Sequence, residues 1–532
     1  MTTTASAPVV WNARRPGWRA VRDALVVLAA VAGAALYTAG VEQQRTFTGF
    51  PLDDAWIHLQ FARNVAEGHG FSFNPGVPSS GSTAPLWTLA LAVPLWLGLE
   101  PVAAAKSLGL LFAAVTALAA AALARQLTGS RGAGLLAGVA VALTPRMAWA
   151  ALSGMEVPLY SGLVTLAVLA YARAAAAGKT GIAWGLLAGL AGWARPETLV
   201  VGPLLALDWL WSGRDAGTGR MLRGWWRPIV AYAIALVAFV GFNEWLGGHP
   251  MPNTFYAKAY GMGTALAIAA GRWGDAAYDA VRFPFRFLDD SVRWQAEHGM
   301  WLFGAAIPGV LAALGRLGHA APHGGRAVLA ILLLAPIIKG LVAPEPMLLV
   351  HDGRYIGHLL VLGIVICAVG FEALRRMVRP RWLMNLFAIL ALVQLGAATG
   401  RGAEEYADEV KNINDLQVRT GHWLAAHTAP DARVATNDIG ALAFFGGRFI
   451  LDTEGLVSPE AIWPKRMHRH LDFLQASRPD VLVIFPNWYP KVAARTDLFQ
   501  EVARVSATQV IAGGESLVIY RTPWTRPARL TP

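Results

Sequence analysis

Long apolar blocks dominate the sequence between residues 24 and 399, and each block is about 15 to 22 residues long. A helix needs about 20 apolar residues to cross the hydrocarbon core of a membrane, so these blocks predict membrane-spanning helices. The composition agrees, because 55% of the 532 residues are hydrophobic and only 15% are charged, whereas a soluble protein carries about a quarter charged residues. The sequence therefore predicts a polytopic α-helical membrane protein.

The blocks and the basic loops between them predict about eleven crossings. The predicted spans cover residues 24–41, 102–124, 132–150, 155–173, 181–193, 197–211, 228–246, 300–315, 327–343, 356–375 and 382–399. Lys and Arg gather on one side in this count, at residues 1–22, 125–131, 214–227, 315–326 and 375–381. Because cytoplasmic segments carry an excess of Lys and Arg, we expect the tail at 1–22 in the cytoplasm and the loops at 42–101 and 247–299 outside.

Residues 82–99 do not fit this count easily. The segment STAPLWTLALAVPLWLGL is apolar enough to span, but counting it as a crossing would reverse the sides of the loops that follow. We therefore interpret it as interfacial or re-entrant. In the alternative, it crosses and residues 181–211 form one long span. Both versions place the loop at 247–299 and the C-terminal segment outside.

The charge balance and the cysteine content exclude some other classes of protein. The net charge of +11 would suggest a nucleic-acid partner in a soluble domain. Here the basic residues lie in short loops between apolar blocks, so we expect membrane lipid as a partner and no nucleic acid. The single cysteine, Cys367, lies inside an apolar block and can form neither a disulfide framework nor a cysteine-based metal site.

The composition changes after about residue 400. The segment AEEYADEVKNINDLQVRTGHWLAAH has charged residues at helical spacing, and the β-type runs RVATND, RFILDT, DVLVIF and SLVIY follow it. This alternation predicts a soluble, extracytoplasmic α/β domain over residues 401–532, after a transmembrane catalytic domain over residues 23–400. No GxGxxG or P-loop motif occurs in the predicted α/β domain, so nothing there indicates a nucleotide.

Asp53 and Asp54, which follow the first predicted span, are the first candidates for chemistry. Carboxylates at a membrane surface are costly unless they have a function. Adjacent carboxylates also shift each other's pKa, which suits a general base. If residues 53–67 form a helix, Asp54, His58 and Phe61 share one face. The alternative is structural, because Asp before a helix is a common N-cap, and the pair alone leaves both interpretations open.

Two later loops on the same predicted side supply cationic candidates. The loop GGHPMPNTFYAKAY contains Lys258, which suits a phosphate as a point charge. Its structural alternative is an interfacial anchor with a snorkelling lysine. In the run HDGRY, Arg354 could hold a phosphate through two parallel hydrogen bonds, with help from His351 and Asp352. An outward-facing arginine opposes the positive-inside bias, which favours a function for Arg354.

Arg195 and Glu156 interrupt apolar stretches. Intramembrane Arg and Glu usually pair with each other or face a polar cavity, so structural pairing and substrate contact are both open for them. The histidines at positions 58, 69, 249 and 351 could supply metal ligands, but they are not at a metal-ligand spacing and no HExxH motif occurs. A metal site is therefore only weakly indicated.

Several motifs, taken in order, resemble one known family. They are DDAWIHLQFARN, GHGFSFNPG, GSTAPLW, SGME, WARPE, PMPNTFYAK and GRY. The ordered set resembles the bacterial GT-C glycosyltransferases. Within that class it is most similar to the group of the terminal arabinofuranosyltransferases, and it is more distantly similar to protein O-mannosyltransferases and the lipid A aminoarabinose transferase. The resemblance covers about residues 20–400, and NDIGALAFFGGRFILDTEGL in the C-terminal segment is typical of that group's outer domain.

The resemblance implies inverting transfer of a sugar from a polyprenyl-phosphate donor to a glycan, lipid or protein acceptor, at the outer face of the bacterial inner membrane. It implies that Asp53 is the general base and that Asp54 is its neighbour or a metal contact. Lys258, Arg354 and Arg195 are expected to hold the donor phosphate. The residues expected to contact substrate are His58, Glu156, Asn253, Tyr256, His351 and Tyr355. Some members of the class use a divalent cation; the need for one, the sugar and the acceptor stay open.

Two rival functions are also open at this point. A transporter or flippase for a lipid-linked or anionic substrate would line its pathway with Arg195, Glu156 and Arg354. Transporters usually contain an internal repeat, and none is found in this sequence. A non-catalytic sensor or assembly factor would use the C-terminal segment to bind glycan and would tolerate the loss of Asp53.

Overall fold

The computed structural model divides the chain into a helical part that ends at His427 and a sheet-containing part that follows it. The structure describes residues 17–45, 48–178, 181–213, 224, 226–258, 264–297, 305–317, 324–342, 353–511 and 513–526. The helices of the first part are α1 (Trp18–Arg45), α2 (Asp53–Ala66), α3 (Pro85–Trp96), α4 (Pro101–Thr128), α5 (Arg131–Leu143), α6 (Pro145–Leu152), α7 (Val157–Ala176), α8 (Ala183–Ala194), α9 (Val201–Gly213), α10 (Trp226–Gly247), α11 (Asn253–Lys258), α12 (Thr264–Ala269), α13 (Trp273–Glu297), α14 (Ala306–Ala313), α15 (Gly325–Val342), α16 (Gly357–Met377), α17 (Arg381–Ile413) and α18 (Arg419–His427).

Seven helices within the described ranges are long and apolar enough to cross a membrane: α1, α4, α7, α10, α15, α16 and the joined α17 and α18. The bent pair of α5 and α6 makes an eighth if it is counted as one span. The predicted count of about eleven is not confirmed. The reason is that α8 and α9 have only 12 and 13 residues, and residues 300–304 of the predicted span 300–315 lie outside the described ranges.

Local sequence signals set the ends of the helices. The side chain of Glu100 accepts hydrogen bonds from two backbone N–H groups in the first turn of α4, and Gly129 ends that helix in the left-handed conformation that glycine adopts without steric cost. Pro145 begins α6. Because proline has no N–H group, it cannot continue the hydrogen bonds of α5, and the two helices meet at 57°.

Two predicted apolar segments are too short or too broken to span as straight helices. The segment 82–99 contains α3, whose 12 residues extend about 18 Å, whereas the hydrocarbon core is about 30 Å thick. This length fits the interfacial or re-entrant interpretation. The segment 181–211 is interrupted after α8, where Arg195 has an extended backbone and the 3₁₀ turn Pro196–Val200 leads into α9. It is therefore not one long helix.

Glycine allows two pairs of helices to approach closely. A Cβ atom at Gly185 in α8 would lie 1.8 Å from the carbonyl oxygen of Pro228 in α10. A Cβ atom at Gly370 in α16 would lie 1.8 Å from the carbonyl oxygen of Ala305, next to α14. Small residues at such contacts allow van der Waals packing between helices where lipid removes the hydrophobic driving force. The packed helices hold the loops between them in place.

An unbroken helical segment connects the helical part to the C-terminal part. Helix α17 continues through the π-helical turn Asn414–Val418 into α18, so residues 381–427 form one helical segment of 47 residues. Residue 401, where the sequence predicts the domain boundary, lies inside α17.

A five-stranded mixed sheet forms the centre of the C-terminal part. Its strands are β1 (Arg433–Thr436), β2 (Phe449–Asp452), β3 (Val481–Ile484), β4 (Gln500–Ser506) and β5 (Ser516–Arg521), and its helices are α19 (Gly440–Gly446), α20 (Ile462–Arg466), α21 (His470–Ser477) and α22 (Pro490–Ala493). The strand order is β2-β1-β3-β5-β4. Strands β2, β1 and β3 are parallel, with Val434 opposite both Ile450 and Val481, and β5 and β4 continue the sheet antiparallel.

The predicted C-terminal α/β domain is confirmed as a fold, and the four predicted β-type runs contain β1, β2, β3 and β5. The sequence did not predict β4. This strand lies at the edge of the sheet and most of its side chains are exposed, so it lacks the apolar alternation of a buried strand.

Helix α2 lies between the two parts of the molecule. Trp56 packs against Phe444 and Phe445 of the C-terminal part, with ring centroids 5.1 and 4.7 Å apart. Ile57 and Phe61 belong to the same buried cluster as the inner face of the sheet. These contacts fix the N-terminus of α2 at the junction of the helical part and the sheet domain.

Candidate active site

Asp54, in the first turn of α2, forms an ion pair with Arg354 in the loop that precedes α16. Only 4% of the Arg354 side chain is exposed, against 28% for Asp54, so the carboxylate is the more accessible partner. The guanidinium also donates a hydrogen bond of 3.2 Å to the Tyr355 hydroxyl. Burial opposes the charge on Arg354, but the carboxylate of Asp54 and the Tyr355 hydroxyl raise its pKa above the ordinary value.

Four cationic side chains surround the ring of Tyr355. The guanidinium carbons of Arg195 and Arg354 lie 4.5 and 5.1 Å from the ring centroid. The ammonium nitrogens of Lys258 and Lys339 both lie 5.7 Å from it. Cations stack favourably on an aromatic face, so Tyr355 holds together four positive charges that come from four separate segments of the chain.

Acidic side chains balance part of this charge. Arg195 forms an ion pair with the fully buried Glu156 and a second one with Glu197, at 3.2 Å. Lys339 lies 3.8 Å from Glu197. With Asp54, the cluster therefore combines three carboxylates with the four cations around Tyr355, one positive charge more than negative charges. A site of this kind favours an anionic ligand.

A cavity of about 360 Å³ opens beside the cations. Its polar end contains Arg195, Glu197, Lys258, Lys339 and Tyr355. The rest of its wall is mainly apolar and is formed by Pro196, Leu199, Val200, Met251, Pro252, Phe255, Ala335, Ile338 and Val342, with Thr83 and Thr254. The cavity thus offers cations at one end and an apolar surface at the other, which suits an amphipathic ligand.

A smaller pocket also contains Lys258 in its wall. It is lined by Asp54, His58, Arg354 and Leu456 of the sheet domain, among others. The two cavities share Thr83, Thr254 and Lys258 as lining residues. Lys258 is therefore common to the pocket that contains Asp54 and to the mainly apolar cavity.

His58 connects the small pocket to the buried ion pairs. Its Nε2 atom lies 3.3 Å from a carboxylate oxygen of Glu156. Burial lowers the pKa of His58 to about 3, although the Asp54 carboxylate acts in the opposite direction, so the ring is neutral at physiological pH. A neutral imidazole can donate one hydrogen bond and accept another.

Asn253 and Tyr256, which the sequence predicts as substrate contacts, make structural contacts instead of lining either cavity. The side-chain oxygen of Asn253 accepts a hydrogen bond of 3.0 Å from the Ser80 hydroxyl. The backbone carbonyl of Tyr256 accepts one of 2.6 Å from Arg466 of the sheet domain. These bonds fix α11, and with it Lys258, between the loop at 79–83 and the sheet domain.

Asp53 faces the sheet domain and not the cavities. Its carboxylate accepts hydrogen bonds from the backbone N–H groups of Gly440 and Ala441, at 2.7 and 2.8 Å. It therefore caps α19, which is 387 residues away in the sequence. The N-cap of α2 itself is Leu52, with no side-chain hydrogen bond, so the structural alternative that Asp53 or Asp54 caps its own helix is wrong.

The surroundings of Asp53 favour its protonated form. Burial raises the pKa of Asp53 to about 8, and the nearby Asp438 carboxyl adds to the increase, while the two amide hydrogen bonds lower it. Burial also raises the pKa of Asp438 to about 6. A Cβ atom at Gly440 would lie 2.2 Å from the Asp53 carbonyl oxygen, so glycine is required for this close approach.

Lys339 lines the larger cavity but is not among the site residues predicted from the sequence, although its position in the sequence indicates a function. It is a single cation in the apolar run AILLLAPIIKGLV, and a charged residue inside a span is usually functional or paired. Of the predicted site residues, Asp54, His58, Lys258 and Arg354 meet at the small pocket, and Arg195 and Tyr355 meet Lys258 at the larger cavity. His351 lies outside the described residues.

The described part of the chain offers no group of three His, Cys, Asp or Glu side chains placed to hold a metal ion. At the candidate site, Asp54, Glu156 and Glu197 each pair with a cationic side chain. Carboxylates engaged in this way do not fit a divalent cation, which needs several oxygen ligands of its own.

Solved structures share this fold. ArnT from Cupriavidus metallidurans bound to undecaprenyl phosphate aligns with a TM-score of 0.58 at 12% identity, over 94% of this chain and 99% of that chain. The same protein in the apo state gives a TM-score of 0.59 at 12% identity, over 93% and 97%. The oligosaccharyltransferase AglB from Archaeoglobus fulgidus, in complex with an inhibitory peptide and a dolichol-phosphate, gives 0.56 at 11% identity, over 94% and 76%.

The sequence comparisons match a smaller part of the chain than the structural alignments do. A protein-family model described as "Domain of unknown function (DUF8728)" matches residues 411–521, within the C-terminal part. Comparison with curated protein sequences finds no match. The structural alignments extend over both the helical part and the sheet domain. The chain therefore has the fold of the GT-C glycosyltransferases, and the fold that its motifs predict is confirmed.

Proposed function

We propose that this protein is an inverting glycosyltransferase that moves a sugar from a polyprenyl-phosphate donor to an acceptor hydroxyl. One observation carries the proposal: the Asp54 carboxylate lies beside a cluster of four cations at the end of a mainly apolar cavity. A base, a phosphate site and a lipid-sized groove are the parts that such a reaction requires.

The donor fits the larger cavity by its chemistry. The phosphate would lie at the polar end, where Lys258, Lys339 and Arg195 are placed, and the first isoprene units would lie against the apolar wall. The excess positive charge of the cluster supports an anionic headgroup there. The relatives of the same fold support a lipid-linked donor, because ArnT was solved with undecaprenyl phosphate and AglB with a dolichol-phosphate.

The acceptor reacts at the small pocket. Asp54 takes the proton of the acceptor hydroxyl as the hydroxyl oxygen forms a bond to the anomeric carbon of the donor sugar. The bond from that carbon to the phosphate oxygen breaks, and its electron pair leaves with the polyprenyl phosphate. Attack from the side opposite to the phosphate inverts the configuration at the anomeric carbon.

The geometry favours Asp54 as the base over Asp53, which the resemblance implies for this role. Asp54 lines the pocket that reaches Lys258, whereas both carboxylate oxygens of Asp53 are engaged by backbone amides of α19. Asp53 then acts as a positioning residue, because it holds the first turn of α2 against the sheet domain.

Cationic side chains stabilise the leaving phosphate. Lys258 lines both cavities, so its ammonium group can stabilise the negative charge that develops on the phosphate. Arg354 lies within reach of Asp54 and of the Tyr355 hydroxyl, so it can orient the base and contribute positive charge at the same time.

The finer assignments rest on the sequence. We place the reaction at the outer face of the bacterial inner membrane, because the basic loops fall on the opposite side. A cell-envelope glycan, lipid or protein is the expected acceptor class. The motifs make an arabinofuranosyl or a mannosyl donor the first to test.

The test is turnover by the purified full-length protein in vesicles. We would supply polyprenyl-phosphate arabinofuranose and polyprenyl-phosphate mannose with a lipid extract of cell envelope, and measure the released polyprenyl phosphate by mass spectrometry. At least one donor should be consumed by the parent protein, and the Asp54→Asn variant should leave it intact. Movement of an uncleaved donor across the vesicle membrane would instead identify a transporter.

A further inference from the structure

A second large cavity, of about 410 Å³, lies in the sheet domain. The loops that follow β2 and β3 supply its Glu454, Trp488 and Tyr489. These two strands belong to the parallel part of the sheet, so the cavity lies at the carboxyl ends of parallel strands. Open α/β sheets usually bind ligands at this edge.

The wall of this cavity combines an aromatic face with donors and acceptors of hydrogen bonds. The Trp488 side chain is 50% exposed although it is large and apolar. Glu454 accepts a hydrogen bond from the Tyr489 hydroxyl and forms an ion pair of 2.5 Å with Lys465. An exposed indole beside charged groups that are already oriented is an arrangement suited to binding a small polar ligand.

The loop that carries Glu454 is held rigidly. The carboxylate of Asp452, at the end of β2, accepts hydrogen bonds from the backbone N–H groups of Glu454 and Val457, at 2.8 and 2.9 Å. Gly455 has a φ of 84°, a conformation that residues with a side chain rarely adopt. The loop is therefore fixed in the shape that places Glu454 in the cavity wall.

The cavity lies close to the candidate active site. Leu456, two residues after Glu454, lines the small pocket that contains Asp54. Arg466, another residue of the cavity wall, donates a hydrogen bond of 2.6 Å to the carbonyl of Tyr256 in α11, the helix that ends at Lys258. The same loop thus borders both the cavity of the sheet domain and the pocket of the proposed base.

We propose that this cavity binds a saccharide, namely a part of the acceptor glycan next to the hydroxyl that reacts. The apolar C–H face of a sugar ring can stack on the Trp488 indole, and its hydroxyl groups can donate to Glu454 and accept from Lys465. Glu454 supplies an acceptor for ligand hydroxyl groups, and the more numerous basic residues of the wall, among them Lys465 and Arg466, supply donors. The acceptor role rests on the proposed function; binding of the saccharide itself does not.

The test measures binding of tagged trisaccharides to the purified full-length protein. The probes are fluorescently labelled arabinan, mannan, galactan and glucan trisaccharides. At least one should bind saturably to the parent protein, and Trp488→Ala should weaken that binding about tenfold or more because the stacking surface is lost. Trp488→Phe keeps an aromatic face and should restore most of the affinity. Trp463→Ala is the matched control, since Trp463 is 64% exposed in the same domain but does not line the cavity.

The outcomes separate this inference from the proposed function. The inference is overturned if no trisaccharide binds, or if Trp488→Ala and Trp463→Ala bind like the parent, even where sugar transfer is observed. Trp488-dependent binding in a protein that transfers no sugar would support the saccharide site and count against the glycosyltransferase. Asp54→Asn should bind the trisaccharide like the parent and lose transfer only.

Discussion

Asp53 and Asp54 are neighbours in the sequence, but their carboxylates lie in different environments. Asp54 faces the cationic side chains around Tyr355 and pairs with Arg354. Asp53 faces the sheet domain and caps α19. Successive side chains point about 100° apart around a helix, so one turn of α2 can serve two surfaces. The comparison teaches that two adjacent carboxylates at the start of one helix can contact different parts of the molecule.

The largest expected effect tests which carboxylate does the chemistry. We expect Asp54→Asn to lower kcat about a hundredfold or more, because Asn cannot accept the proton. Asp53→Asn should retain most of the activity, because its amide oxygen can still accept a hydrogen bond from α19. The measurement is the steady-state rate of polyprenyl phosphate release from the donor that the parent protein uses.

Two controls belong to this pair. Both variants should bind the donor and melt at a temperature close to that of the parent, so that a lost rate reports chemistry. The reverse order of rates, with Asp53→Asn inactive and Asp54→Asn near the parent, would return the base role to Asp53, as the resemblance alone implies.

A smaller effect on the reaction rate is expected from changing Arg354, the cationic partner of Asp54. Arg354 contacts Asp54 and the Tyr355 hydroxyl with separate N–H groups of one guanidinium. The single ammonium of a lysine cannot reproduce this fork. We expect Arg354→Lys to lower kcat/KM about tenfold, the effect of one charge-assisted hydrogen bond. Arg419→Lys, at an exposed position of α18, should leave kcat/KM unchanged; an equal loss in both variants would contradict the assignment.

The smallest expected effect is on the pH dependence of Tm, and it tests the contact of Asp53 with α19. Because burial raises the pKa of Asp53 to about 8, the folded protein binds a proton there that the unfolded chain, with a pKa of about 4, has released. This contribution to stability is complete below pH of about 4 and is lost as the pH rises through about 8. We therefore expect Tm to fall over this interval, and to fall less in Asp53→Asn.

The buried Asp438 and Asp452, whose pKa values are also raised, remain in that variant, so the pH dependence should decrease and not vanish. Asp275→Asn, at an exposed carboxylate of α13, is the control. A pH profile of Tm that is identical in Asp53→Asn and the parent would show that Asp53 does not bind the extra proton.

The fold could be predicted from the sequence wherever the pattern is local. Apolar blocks of spanning length predicted the helical part, and β-branched runs predicted β1, β2, β3 and β5. The count of about eleven spans is not confirmed, because helices next to a break in the chain, such as α8 and α9, are shorter than a crossing needs. At Arg195 and at Pro145 the composition stays apolar while the backbone turns. Strand β4 has exposed, charged side chains, so only its neighbour β5 identifies it as a strand.

The site was less predictable because it depends on contacts between distant residues. Asp54, Lys258 and Arg354 could be found by their charge at the ends of apolar blocks, and the structure brings them to one pocket. Asp53, in contrast, accepts hydrogen bonds from two backbone amides of α19. Nearly every residue has a backbone amide, so the sequence does not indicate this contact. No local pattern separates the two aspartates.

The unbroken helix of residues 381–427 has a consequence for the kinetics of a two-substrate reaction. Its 47 residues extend about 70 Å. The sheet domain is therefore joined to the helical part by a continuous helix and not by a flexible linker. A glycan held by that domain would be presented to Asp54 as an intramolecular reactant. Its effective concentration would then be set by geometry, since a rigid mount avoids the loss that a long flexible linker imposes.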